Sequence, residues 1–92
     1  MLIHKYKLPK KSDAKVSASL DLPEDGSILK VAVEGDSISM WVMFDEEVGD
    51  SVEVRTFVIQ GTGIPFGEGG GLDYLDSVFE GKYVWHVFEE RV

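Results

Sequence analysis

The chain has 92 residues, 43% of them hydrophobic and 28% charged, which describes one small folded domain with a single modest core. Seventeen acids against nine Lys and Arg leave a net charge of −8, and that excludes a protein built to grip a nucleic-acid backbone. With no Cys, disulfides, thiolate metal sites and cysteine nucleophiles are excluded as well.

In chain order, the first fifteen residues are basic. Lys5, Lys7, Lys10, Lys11 and Lys15 stand against Asp13, a local +4, whereas residues 16–92 carry −12. A basic leading strand either softens the self-repulsion of an acidic body or meets an acidic partner such as a second subunit. Met1 to Lys15 lacks the apolar stretch of a signal peptide, and no run approaches the ~18 apolar residues of a membrane span. Leu2–Leu8 and Val16–Leu20 read as short strands, the second ending at the turn signal Pro23-Glu24-Asp25-Gly26.

Ser27–Asp45 alternates strictly around Gly35-Asp36, which suits a two-residue type II′ hairpin. That loop pairs Val33 with Ile38, Val31 with Met40 and Leu29 with Val42. Leu29, Val31, Val33, Ile38, Met40, Val42 and Phe44 then share one face, opposite Lys30, Ala32, Ser37, Ser39, Trp41 and Met43. The acids Asp45, Glu46, Glu47 and Asp50 read as a solvated hairpin tip, because they lack the alternation and final Glu of a calcium loop. Ser51–Gln60 adds a strand with Val52, Val54, Thr56 and Val58 on one side.

Gln60–Leu72 holds six of the ten glycines and breaks the rhythm. It matches neither a Walker loop nor a dinucleotide fingerprint, since no Gly-Lys-Ser/Thr follows and no helix opens after it. Gly61-Thr62-Gly63 can still be read as a backbone nest for an anion, against the plainer reading of a strand-ending turn and a linker. A short helical turn within Gly71–Asp76 fits the pattern too. Leu75–Glu89 reads as a second hairpin turning near Gly81. Leu75, Ser77, Phe79, Val84, His86 and Phe88 share one face, and Asp76, Val78, Glu80, Tyr83, Trp85 and Val87 the other. The sum is a single all-β domain over residues 1–92, an antiparallel sandwich or small barrel of about seven strands.

Candidate chemistry is sparse. His4 and His86 lie on different strands, with no metal-ligand spacing, and His86 reads as a hydrogen-bonded, partly buried residue. No serine sits in a nucleophile elbow, so catalytic residues, metal and cofactor are all expected to be none. Trp41 and Trp85 fall on the less apolar face of their hairpins, beside Lys30, Met43 and Tyr83. Aromatics placed there either add a core layer or form a binding surface, and in so small a chain an interface is favoured.

The order Ile28-Leu29-x-Val31, Trp41, Arg55-x-Phe57-x-Ile59, Gly61-Thr62-Gly63, Tyr74-Leu75-x-Ser77-Val78 and Val84-Trp85-His86-Val87-Phe88-Glu89 resembles a family of short tailed-bacteriophage proteins with a domain of unknown function. The likeness runs from Leu2 to Glu89, with an expanded Gly67–Gly71 stretch and an insertion around Lys10–Lys15 as departures. It implies a phage accessory protein working in the host cytoplasm, and it implies no reaction.

Three expectations follow. The first is a stoichiometric binder of a host protein, in host takeover or counter-defence, or of its own copies as a homo-oligomer. The second is an oligomeric sponge for a nucleotide, with Gly61, Thr62 and Gly63 at phosphate, Trp41, Trp85 or Tyr74 stacking on a base, and Arg55 or Lys30 as counter-charge. The charge of −8 opposes that ligand. The third is a minor virion or assembly component. Neither a membrane nor a nucleic-acid backbone is an expected partner.

Overall fold

The computed structural model describes residues 1–9, 15–48, 51–63 and 71–91. Seven strands follow one another: β1 (Leu2–Pro9), β2 (Lys15–Pro23), β3 (Ser27–Glu34), β4 (Ser37–Phe44), β5 (Val52–Gly61), β6 (Leu72–Glu80) and β7 (Tyr83–Glu90). They form a three-stranded sheet, ordered β1-β4-β3, and a four-stranded sheet, ordered β2-β5-β7-β6, both antiparallel. The sheets pack as a sandwich, with β1 beside β2 on one flank and β3 beside β6 on the other. Among the described residues there is no α-helix, and the only helical turn is a 3₁₀ turn at Glu46–Val48.

The β3–β4 hairpin turns where the sequence places it. Glu34 pairs with Ser37, and in the loop Gly35 has φ 56° while Asp36 keeps a negative φ, the type II′ pattern. Val33 faces Ile38 and Val31 faces Met40 as expected. Leu29 does not reach Val42. A bulge between Ile28 and Lys30 sets Ile28 opposite Val42 and turns Leu29 outward, 49% exposed, because an extra residue restarts the alternation out of phase.

The β6–β7 hairpin closes on Gly81-Lys82, with Glu80 opposite Tyr83 and Gly81 at φ 58°. Here the expected division of residues holds except at Leu75, but its inward side is the one carrying Val78, Trp85 and Val87. Phe79, across the strand, is 73% exposed. Leu75 leaves its expected set, since a bulge between Tyr74 and Asp76 lets it pack on the core. The helical turn anticipated in Gly71–Asp76 is strand from Leu72 onward.

Between the sheets lie Leu8, Leu22, Val31, Ile38, Met40, Val42, Phe57, Ile59, Val78, Trp85 and Val87. Each such side chain contributes about 1.5–3 kcal/mol when removed from water. On β5, Phe57 and Ile59 point inward, which leaves Val52, Val54, Thr56 and Val58 on the outer face. The acids Asp45, Glu46 and Glu47 do not cap a hairpin. They sit where β4 of one sheet leads to β5 of the other, held by the Asp45 Oδ1 acceptor and the Glu47 amide at 2.9 Å; Asp50 lies outside the described residues.

The turn Pro23–Gly26 carries the chain from the four-stranded to the three-stranded sheet, with the Gly26 amide donating to the Pro23 carbonyl at 3.0 Å. Gly26 is buried, and a Cβ there would stand 2.7 Å from Val42 Cγ1, a fully buried atom neighbourhood that cannot swing away. Gly26→Ala is therefore expected to cost about 1–3 kcal/mol by overpacking, read as a lower urea midpoint with an unchanged slope.

Candidate functional site

The outer face of the three-stranded sheet gathers what the sequence had left apart. In β1 the residues alternate so that Ile3, Lys5 and Lys7 face outward while Leu2, Tyr6 and Leu8 turn toward the core side. Register then sets Trp41 of β4 between Lys5 of β1 and Lys30 of β3, and Met43 between Ile3 and Ser27. The result is a stripe of Ile3, Met43 and Trp41, with Ile3 54% exposed and Trp41 partly exposed, bordered by Lys5, Lys7 and Lys30. An apolar centre around a Trp, ringed by charges, is the anatomy of an interaction surface.

Glu34 is the acid on this face. Its Oε1 accepts from Lys5 Nζ at 2.9 Å and from Ser39 Oγ at 2.8 Å. The hydrogen bond from Lys5 foremost, and then that from Ser39, hold the Glu34 carboxyl below its usual range, against a smaller effect of desolvation. The link thus persists at neutral pH and is lost only as pH falls through that lowered value. Lys7 and Lys30 keep the face basic on a protein whose net charge is −8.

Of the residues expected to bind, only Trp41 and Lys30 come together here. Trp85 is not on an outer face. It is 7% exposed within the core, its Nε1 donates to Glu80 Oε1 at 3.3 Å, and Tyr83 stacks on it with centroids 6.3 Å apart. Tyr83 is itself 56% exposed at the end of the sandwich, under the Lys82 ammonium. Tyr74 lies on the outer face of the other sheet, edge-on to Phe88.

Arg55 is not a free counter-charge. Its guanidinium grips the Glu89 carboxylate through Nε and Nη2 at 2.5 and 2.7 Å, and Nη1 donates to the Gly26 carbonyl at 2.6 Å. In Gly61-Thr62-Gly63 the Thr62 amide donates to the Val84 carbonyl at 3.3 Å, so one of the successive amides a nest would aim at an anion is already engaged. Readings that fall on Gly67, Glu68, Gly69 and Gly70 lie outside the described residues. Trp85 is the register partner of Gly61 but is buried, while Trp41 and Lys30 lie on the other sheet, Tyr74 lies on the outer face and Arg55 is held by Glu89.

His86 is half-buried and hydrogen-bonded on the outer face of the four-stranded sheet. Ser77 Oγ stands 2.7 Å from its Nδ1 and Thr62 Oγ1 2.7 Å from its Nε2, and Tyr74 Oη lies 2.6 Å from Ser77 Oγ. A hydroxyl–imidazole pair is present, but the far ring nitrogen faces a second hydroxyl rather than the carboxylate that orients a catalytic histidine. Among the described residues no three His, Asp or Glu converge to hold a metal ion, and no helix is long and apolar enough to cross a membrane.

Sequence reasoning missed Ile3, Lys5 and Lys7 as members of the Trp41 face. Their alternation in β1 was visible, but nothing local announces that β1 pairs with β4. The chain belongs to the family described as a domain of unknown function, DUF7352, whose model matches residues 1–92. No curated protein and no solved structure matches the chain.

Proposed function

We propose that this DUF7352 protein acts without catalysis, by docking the Trp41 face of its three-stranded sheet on an acidic surface of another protein. The observation that carries the reading is Trp41 set between Lys5 and Lys30, beside exposed Ile3, on an otherwise acidic molecule. Trp at the centre of an interface is a frequent hot spot, and a lysine border steers an acidic partner into register. A nucleic acid fits less well, since three lysines, one of them tied to Glu34, neutralise few phosphates. The resemblance to tailed-phage proteins supports a finer form of the reading, stoichiometric occupation of a host protein in takeover or counter-defence within the host cytoplasm.

The test compares wild-type protein with Trp41→Ala and Lys30→Glu as baits in host lysate, at low and high salt. A partner retained by wild type should weaken roughly thirtyfold with Trp41→Ala, the effect of losing about 2 kcal/mol, and should weaken further with salt. Equal retention by wild type and both variants would remove the reading. The acidic body supplies a second possible occupant, another copy of the chain, and a native mass above that of one chain which collapses in Lys30→Glu would assign the face to self-association.

A further inference from the structure

On the flank where β1 runs beside β2, the sandwich opens into a groove of about 380 Å³. It lies away from the Trp41 face, because alternation sends Leu2, His4 and Tyr6 to the opposite side of β1 from Lys5. Leu2, Pro23, Phe44 and Val52 make its apolar walls, with His4 edge-on to Phe44 at a centroid distance of 5.0 Å. Asp21, from β2, and Glu46, from the 3₁₀ turn, line the same groove, together with Tyr6.

We propose that this groove binds an organic cation, an ammonium or guanidinium carried on a short apolar stem. Three observations select that class. Neither Asp21 nor Glu46 is engaged by a cation within the described part of the protein, so both present open acceptors. The walls are apolar and partly aromatic, and they suit a hydrocarbon stem better than a hydrated ion. Finally, although His4 lines the groove too, no three His, Asp or Glu among the described residues are grouped so as to hold a metal ion. The guanidinium or ammonium would sit between Asp21 and Glu46, where charge-assisted bonds are strongest, with its stem against Phe44 and Val52. A site of about this volume is large enough for an arginine-like side chain or a small free amine.

Nuclear magnetic resonance titrations distinguish the two sources. Agmatine serves as the free cation, an acetylated and amidated tripeptide with central arginine as the peptide form, and the same tripeptide with citrulline as a neutral isostere. Saturable shifts at His4, Tyr6, Asp21 and Glu46 with agmatine or the arginine peptide, and at least tenfold weaker binding of the citrulline peptide, are expected. Tighter binding of the peptide than of agmatine assigns the groove to a protein segment, and the reverse assigns it to a free amine. An Asp21→Asn/Glu46→Gln variant should keep the wild-type spectrum elsewhere, since both positions are exposed, and should lose the shifts. Unsaturable shifts with both cations, or equal affinity for arginine and citrulline peptides, would overturn the proposal. Neither outcome touches the Trp41 face, so this inference and the proposed function fail independently.

Discussion

Arg55→Ala is expected to remove about 3 kcal/mol of unfolding free energy, the low end of what breaking a buried ion pair from one side costs. Arg55 and Glu89 are each only 17% exposed at the side chain, and they sit on the inward face of the four-stranded sheet, next to Phe57 in the register. One guanidinium joins three segments: its own strand β5, the end of β7 through both oxygens of Glu89, and the β2–β3 turn through the Gly26 carbonyl. Hydrogen bonding to Glu89, above all, raises the Arg55 pKa against the opposing effect of burial, so the guanidinium is charged at any working pH. Truncation leaves the Glu89 carboxylate desolvated and the Gly26 carbonyl short of a donor. Arg55→Lys should still cost about 2 kcal/mol, because a single ammonium cannot fork onto a carboxylate and reach the turn as well. A double Arg55→Met/Glu89→Leu variant, which removes both charges, should recover most of the loss. Urea denaturation of the four proteins measures all of this. If Arg55 were instead held ready for a ligand, Arg55→Ala would leave the urea midpoint unchanged, and that result would dismiss the clip.

What could be read before folding depended on whether the deciding contacts were local. Gly35-Asp36 between two alternating runs specifies its turn, its register and its inner face together, because a one-residue slip would expose Ile38, Met40 and Val42. In β7 the same arithmetic divides the faces correctly but cannot orient them. Val84 and Phe88 are as apolar as Trp85 and Val87, and only the opposing sheet decides which pair turns inward. The bulges at Leu29 and Leu75 leave no mark in composition, so each misplaces a single leucine. The Trp41 face depends on β1 pairing with β4 across the whole of β2 and β3, and the Arg55 clip depends on three segments meeting. Alternation states which residues share a side of their own strand. It carries no information about which strand lies next to it, and both functional assignments turn on that neighbour.

The two tryptophans therefore separate in a way the alternation could not foresee, and Trp85→Ala should show it. Trp85 packs on Val78, Val87 and the rest of the core at 7% exposure, and deleting its ring leaves a cavity the flanking strands cannot close. The expected cost is about 3–5 kcal/mol, or a fall in Tm of more than about 12 °C for a domain of this size. Loss of the stacking partner also strips Tyr83 of its support, and Glu80 loses the indole donor, so the β6–β7 hairpin end bears part of that cost. Trp85→Phe, which keeps an aromatic volume but no N–H, should recover at least half of it. Trp41→Ala is expected to cost only about 1 kcal/mol, because Trp41 is partly exposed on the outer face of its sheet and the stems of its register partners Lys5 and Lys30 can settle into the space. Acrylamide quenching of the single-tryptophan proteins gives an independent readout. Fluorescence of Trp41→Phe, which reports Trp85 alone, should be poorly quenched, and that of Trp85→Phe readily quenched. A stability loss larger for Trp41→Ala than for Trp85→Ala would exchange their roles, making Trp41 a core residue and leaving the outer face of the three-stranded sheet without the anchor on which its docking depends.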